Sequence, residues 1–217
     1  MYQRHYNPQH IAAATSVVSE ASLAPAKGYH YLYRLNCGGD AYTDTLGNQW
    51  MQDNNQWSHS WNGYQASQTF NDSISSPLFK TSRFGRHKLS YHFPAGSGKY
   101  RIELYFIEPW YRQYDAEGLR LFDVAINDST VIRDLDIWAQ VHYGKPYKRV
   151  IEFENKGDEI CIHFPTVKAG QAMIAAIAIA SKETRPVTSQ QISHSSPITS
   201  HLWADFERDI LVKTPDS

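Results

Sequence analysis

Apolar and polar residues alternate with a period of two over short runs between Tyr29 and Ala180. In "YRIELYF", Tyr100, Ile102, Leu104 and Phe106 fall on one face, with Arg101 and Glu103 opposite. "LFDVAIN" sets Phe122, Val124 and Ile126 against Asp123, and "EICIHF" groups Ile160, Ile162 and Phe164. "YHYLYRLNC" does the same with Tyr31, Tyr33 and Leu35, and "LSYHF" at 89–93 adds another run. This is the side-chain period of strands with one face in a core. "MIAAIAIA" at 173–180 is apolar on both faces and suits a central strand. Turn residues part the runs at "PAGSG" (94–98), "NDS" (127–129) and "NKGD" (155–158). No long helical pattern intervenes, which disfavours a βαβ parallel architecture. The pattern predicts an all-β fold, an antiparallel β-sandwich of the jelly-roll kind.

The flanks have a different texture. Residues 1–28 are rich in Ala, Ser, Gln and His and end at a Pro-x-x-Gly breaker. Thr15, Ser16, Ser19 and Glu20 interrupt what would be the apolar stretch of a secretory signal, so a linker or short helix is expected. The sandwich domain is assigned to 29–182. Residues 183–217 read as a polar linker, "ETRPVTSQQISHSSPITS", and then the start of a further element at "HLWADFERDILV". No run is long and apolar enough to span a membrane.

Charge and reactive residues narrow the function. The 217 residues carry a formal net charge of -1, which argues against nucleic acid as the main partner, since phosphate binding needs clustered Lys and Arg. "AGSGKY" at 95–100 fails as a phosphate loop: Phe93 stands where a Gly is needed and Tyr100 where Ser or Thr is needed, so a hairpin turn is expected. Cys37 and Cys161 read as small buried apolar residues, with a single bridge between them left open. None of the ten histidines pairs with another at metal spacing on one element, so no metal ligands are expected. Asp134 and Asp136 in "RDLDIW" share one face of an expected strand. They read as loop anchors or a solvated edge, because the two acids of a glycoside hydrolase normally come from separate elements. No nucleophile motif appears, and no catalytic residue is expected.

The aromatics point elsewhere. Trp61 and Tyr64 lie in "NNQWSHSWNGYQ", Phe84 in "TSRFGRH", and Trp110 and Tyr111 follow a strand that Glu108 and Pro109 end. These rings sit among Asn, Gln, Ser and Arg rather than on the inward face of strands. Flat apolar rings beside polar hydrogen-bonders suit a sugar, which has apolar C–H faces and hydroxyl edges. Loops that fold back to bury their own rings are the alternative.

The motifs "LNCGGDAYTDTLGNQWMQD", "LFKTSRFG", "YRIELYFIEPWY", "LRLFDVAIND" with "RDLDIW", and "AGQAMIAAIAI" occur in an order that resembles malectin and the malectin-like carbohydrate-binding modules. The likeness spans 29–181 and is nearest to malectin-type domains attached to bacterial family 2 glycoside hydrolases, the β-galactosidase group. The resemblance implies a β-sandwich that binds glucose disaccharides or related glycans through loop aromatics and an Asp. Trp110 and Tyr111 stand where the family has its aromatic pair, and Phe84 where it has a Tyr. Tyr64 falls near an earlier family Tyr, with Trp61 competing for that place. The loop expected to supply the Asp reads "TVKAGQA" and offers only Lys168 and Gln171. The implied function is a non-catalytic module that recognises an oligosaccharide or polysaccharide, accessory to a glycosidase domain in the same parent protein. A structural domain that binds no sugar is the alternative. No cofactor is implied, with a bracing calcium ion left open. A bacterial glycosidase parent would place the chain in the periplasm or outside the cell.

Overall fold

The computed structural model describes residues 16–17, 23–54, 58, 66–67, 77–87, 89–112 and 115–183. In chain order the strands are β1 (Ser16–Val17), β2 (His30–Asn36), β3 (Tyr42–Thr43), β4 (Gln49–Gln52), β5 (Ala66–Ser67), β6 (Thr81–Gly85), β7 (Ser90–Pro94), β8 (Gly98–Ile107), β9 (Leu121–Ile126) and β10 (Ser129–Leu135). A five-residue helix, α1 (Ile137–Val141), precedes β11 (Pro146–Asn155), β12 (Glu159–His163), β13 (Val167–Ala169), β14 (Ala172–Ile174) and β15 (Ala176–Ser181). One sheet runs β1-β11-β8-β15-β2-β4-β3; a second runs β10-β9-β12-β7, with β13 also on β9; a third, small sheet is β14-β6-β5.

The alternating residues form the core between the two larger sheets. Ile102, Leu104, Phe106, Phe122, Val124, Ile126, Ile160, Ile162 and Ile177 are all 0% exposed, so the register expected from the pattern is the one adopted. Each such side chain contributes about 1.5–3 kcal/mol by leaving water. β15 lies between β8 and β2, as a strand apolar on both faces should. Its second face meets a separate cluster of Leu23, Trp50, Leu78, Phe79, Tyr105 and Ile107. The segment before Gly28, expected as a linker or short helix, therefore supplies a core residue, Leu23, and the strand β1 that pairs with β11.

Burial of that second face changes how Glu103 behaves. It stands opposite the core face of β8 yet is 2% exposed. Lys148 Nζ at 2.8 Å and Arg101 Nε at 2.8 Å neutralise it, and the hydroxyls of Tyr105 (2.6 Å) and Tyr31 (2.9 Å) donate to it. Burial alone would raise its pKa; the Lys148 charge and these hydrogen bonds outweigh burial and lower it.

Several expectations are corrected. The seven-stranded sheet is mixed: the chain reverses twice between β2 and β4, so β4 runs parallel to β2 when it inserts beside it. The turn at 94–98 is not the expected hairpin, and neither it nor the turn at 155–158 joins two paired strands. β7 pairs with β12 while β8 pairs with β11 and β15, so both turns carry the chain between sheets. Asn155 ties them together, donating from Nδ2 to the carbonyls of Ala95 (2.7 Å), Gly96 (3.2 Å) and Gly157 (3.1 Å). Of the three turns, the one at 127–129 makes a hairpin, with Ser129 opposite Ile126. The apolar run 173–180 divides at Ala175 between β14, on β6, and β15. Cys37 and Cys161 are both free thiols, one buried and one partly exposed. No helix among the described residues is long and apolar enough to cross a membrane.

Candidate functional site

The end of β8 builds the site. Glu108 follows the strand's last residue and is 0% exposed. Its Oε1 accepts the backbone N–H of Trp110 (3.0 Å) and of Tyr111 (3.3 Å), which turns the chain out of the sheet. Pro109 fixes the backbone at the turn. Glu108 is held in turn by Arg120, whose Nε lies 2.6 Å from Oε2 and whose second guanidinium nitrogen lies 3.4 Å from Oε1. Arg120 is itself 2% exposed. A pair this deep persists only because its remaining donors are used. Arg120 also donates to the Gln171 carbonyl at 2.5 Å.

The rings stand on this pair. The Arg120 guanidinium carbon is 5.6 Å from the Trp110 ring centroid and 5.4 Å from that of Tyr111. Contacts of this kind contribute about 0.5–2 kcal/mol each. Phe84, on β6, packs edge-to-face on Trp110, with centroids 4.8 Å apart and planes at 83°. The Tyr111 hydroxyl donates to the Leu119 carbonyl at 3.3 Å. Trp110 is left 45% exposed, while Phe84 and Tyr111 are half-buried.

Neighbouring loops lock the base. Gly170 has φ +60°, and a Cβ there would sit 2.7 Å from the Leu119 carbonyl oxygen and 3.4 Å from the Tyr111 hydroxyl. A glycine lets the 117–120 loop, the Tyr111 ring and the 170–171 turn close on one another. The two aspartates also act here, though not as a pair on one strand face. Asp136 caps α1 through the Ala139 N–H (3.0 Å) and accepts the Gly118 N–H at 2.5 Å, which anchors the loop that carries Arg120. Asp134 has φ 50° at an irregularity of β10 and pairs with Lys168. Asp136 is thus a loop anchor, while Asp134 makes a partly exposed pair at a sheet edge.

Of the expected site residues, the structure brings together Phe84, Trp110 and Tyr111, with Gln171 reaching the cluster through its backbone carbonyl. Lys168 is held by Asp134 and touches none of these rings by any observed bond. Tyr64 and Trp61 lie outside the described residues. Sequence reasoning missed Arg120 as the support of the site and saw Glu108 only as a strand end. The available signal was a charged residue abutting each apolar run, in "FIEP" and "GLRLF". Two concavities, of about 590 and 550 Å³, are lined by other residues, around Cys161 and His163. The aromatic site is an exposed ring on a buried, ion-paired base, apart from these two concavities.

A β-sandwich with this motif set and a braced aromatic at a strand end is a lectin-like domain of the malectin type. The chain belongs to the malectin domain family, whose model matches residues 31–184. Malectin of Danio rerio is 24% identical over 136 residues, covering 61% of this chain and 47% of that protein. A probable LRR receptor-like serine/threonine-protein kinase of Arabidopsis thaliana is 26% identical over 162 residues, covering 65% of this chain and 16% of that protein. The chain spans less than half the length of these curated relatives. Among solved structures, the Bacteroides uniformis beta-glucuronidase has a TM-score of 0.57 at 22% identity, covering 68% of this chain and 18% of that one. The ANX2 ectodomain from Arabidopsis thaliana has a TM-score of 0.60 at 18% identity, covering 70% and 50%. At these identities the structures speak for the fold alone.

Proposed function

We propose that this domain is a non-catalytic carbohydrate-binding module, accessory to a glycoside hydrolase of the family 2 type, that stacks a sugar of an oligosaccharide or polysaccharide on Trp110. The observation that carries this reading is a large ring left 45% exposed while Phe84 braces its edge and a buried Arg120–Glu108 pair fixes its backbone. Such rigidity supports binding, because a ring already held in place loses little freedom when a ligand arrives. Tyr111 extends the platform. Gln171, Lys168, Tyr64 and Trp61 are the further candidates for contact with the sugar that the sequence motifs single out. The similar segment of the Bacteroides uniformis beta-glucuronidase is 18% of that enzyme, which supports a role beside a catalytic domain.

A second reading is a structural domain whose exposed Trp110 faces a catalytic neighbour and meets no sugar. It is favoured by the loop "TVKAGQA", which lacks the carboxylate that the family uses. A glycan array probed with the full chain, followed by calorimetric titration of each hit, separates the two. Binding that is lost in Trp110→Ala supports the module. A silent array, or hits that Trp110→Ala leaves unchanged, overturns it and leaves the structural domain.

A further inference from the structure

The outer face of the second sheet holds two concavities of opposite character. β12 pairs with β7 on one side and with β9 on the other. Ile160, Ile162, Tyr91 and Phe93 fill the buried face of β12 and β7, so strand alternation turns Ser90, His92, Glu159, Cys161 and His163 outward. Cys161 and His163 line both concavities and divide them. The first, of about 590 Å³, is lined by four carboxylates, Asp128, Glu154, Asp158 and Glu159, against one lysine, Lys156. The second, of about 550 Å³, is lined by no carboxylate. Its polar wall is Arg86, His87, Ser90, His92 and His163, with Leu89 and Phe164 as an apolar side.

The basic groups of the second concavity are not all spent. Arg86 and His87 stand exposed just after β6 and have no ion-pair partner among the described residues. His92 is engaged at both nitrogens: Nδ1 lies 2.8 Å from Glu159 Oε1 and Nε2 lies 3.2 Å from Ser90 Oγ. His163 is engaged at one. Its Nε2 lies 2.9 Å from the carbonyl oxygen of Asn127, a residue of the first concavity. A carbonyl only accepts, so the proton of the neutral ring sits on Nε2 and Nδ1 carries a lone pair. Nδ1 becomes a donor only when the ring is protonated.

Guanidinium, imidazole N–H and hydroxyl groups all donate, and no carboxylate in this wall competes for them. Such a wall holds an oxyanion through charge-assisted hydrogen bonds. The volume falls within the range of small-molecule sites, about 300–1,000 Å³, and exceeds what a bare inorganic anion fills. The anion is then the head of a larger molecule, whose apolar part lies against Leu89 and Phe164.

We propose that the second concavity binds an oxyanion, a carboxylate, sulfate or phosphate group of a small molecule, through Arg86, His87 and Ser90, and that His163 takes up a proton from solvent as the anion enters. Charges face His163 from both sides. Asp128, Glu154, Asp158 and Glu159 favour its imidazolium form, while Lys156, Arg86, His87 and His92 oppose it. An anion seated on Arg86 and His87 cancels the opposing set, which couples binding to protonation. The site is separate from the aromatic platform and does not depend on the glycan reading.

The test titrates the full chain with sodium sulfate, sodium phosphate and sodium acetate, each against sodium chloride at equal ionic strength, by calorimetry. Runs with sulfate at about pH 6 and about pH 8 bracket the ordinary histidine range, near 6.5, and two buffers of different ionisation enthalpy report proton uptake. The expected result is saturable binding of at least one oxyanion, with the tightest of the three naming the group. Binding should weaken about tenfold or more between the lower and the higher pH. R86Q should lower the affinity about tenfold or more, as loss of a charged hydrogen bond does. H163Q should remove most of the proton uptake, and E154Q, in the neighbouring concavity, should not weaken binding. No oxyanion binding beyond that of chloride, an affinity unchanged in R86Q, or proton uptake that survives H163Q would overturn the proposal. Far-UV circular dichroism of each variant separates a lost site from a lost fold.

Discussion

Glu108 and Arg120 form a buried ion pair at the end of β8, 2.6 Å apart and 0% and 2% exposed, and the two exposed-side rings of the site hang from it. Glu108 takes the N–H groups of Trp110 and Tyr111, while Arg120 lies against both rings. One interaction thus ends a strand, aims two aromatics and neutralises itself.

Truncating Trp110 should separate binding from stability. The ring is 45% exposed and outside the alternating core face, so Trp110→Ala should change the melting temperature little. A well-placed aromatic in a small site carries ~2 kcal/mol or more, or about thirtyfold in affinity. Calorimetry with an array-identified oligosaccharide, beside a thermal melt, checks both. A collapse in melting temperature with affinity retained would show the ring to be a support instead.

Removing one member of the ion pair should be far more costly than removing both. Arg120→Met strands the Glu108 carboxylate in the core, for an expected loss of about 3–5 kcal/mol. Adding Glu108→Leu should recover most of that. Glycan binding should stay weak in the double variant, because the N–H groups of Trp110 and Tyr111 lose their acceptor. Urea denaturation of the single and double variants gives the stability comparison, and the array hit gives the binding.

Gly170→Ala should tighten the same corner until it gives. The left-handed backbone costs a Cβ-bearing residue roughly 1–2 kcal/mol, and the new methyl would meet the Leu119 carbonyl at 2.7 Å. A drop of about 2–8 °C in melting temperature is expected for a domain of this size. Weaker glycan binding should accompany it as the 117–120 loop and Tyr111 shift.

Acid should unfold the protein in part through Asp44. Burial would raise this carboxyl, but hydrogen bonds from Trp50 Nε1 (3.0 Å), Asn48 Nδ2 (2.9 Å) and the N–H groups of Asn48 (2.8 Å) and Leu46 (3.0 Å) outweigh burial and lower it. A carboxyl lowered in the folded state binds its proton more readily when unfolded. Its contribution is therefore complete above the ordinary Asp range, about pH 4, and is lost as pH falls through the lowered folded value. Glu103 acts in the same direction. Denaturant midpoints measured from pH 6 down to pH 3 should fall, and Asp44→Asn should flatten the lower part of that curve.

The sequence by itself determined the period-two pattern, and with it the strands and the residues that face the core. Ile102, Leu104 and Phe106 could only share one face of β8, because alternation is a property of the extended backbone. It also determined that Trp110 and Tyr111 leave the sheet, since Glu108-Pro109 interrupts the alternation locally. What the tertiary structure decided was every relation across strands. The turn at 94–98 looks like a hairpin turn, but whether a chain folds back on its neighbour or crosses to the other sheet depends on distant partners: β12 for β7, and β11 for β8. Glu103 lies on the polar side of the alternation, and only the side chains gathered on it from other strands, Tyr31 and Lys148, make it a buried, neutralised charge. Arg120 meets Glu108 across 12 positions, and His92 meets Cys161 across 69. No local pattern encodes such separations. Sheet register does, and register is set by the burial of the whole apolar face at once.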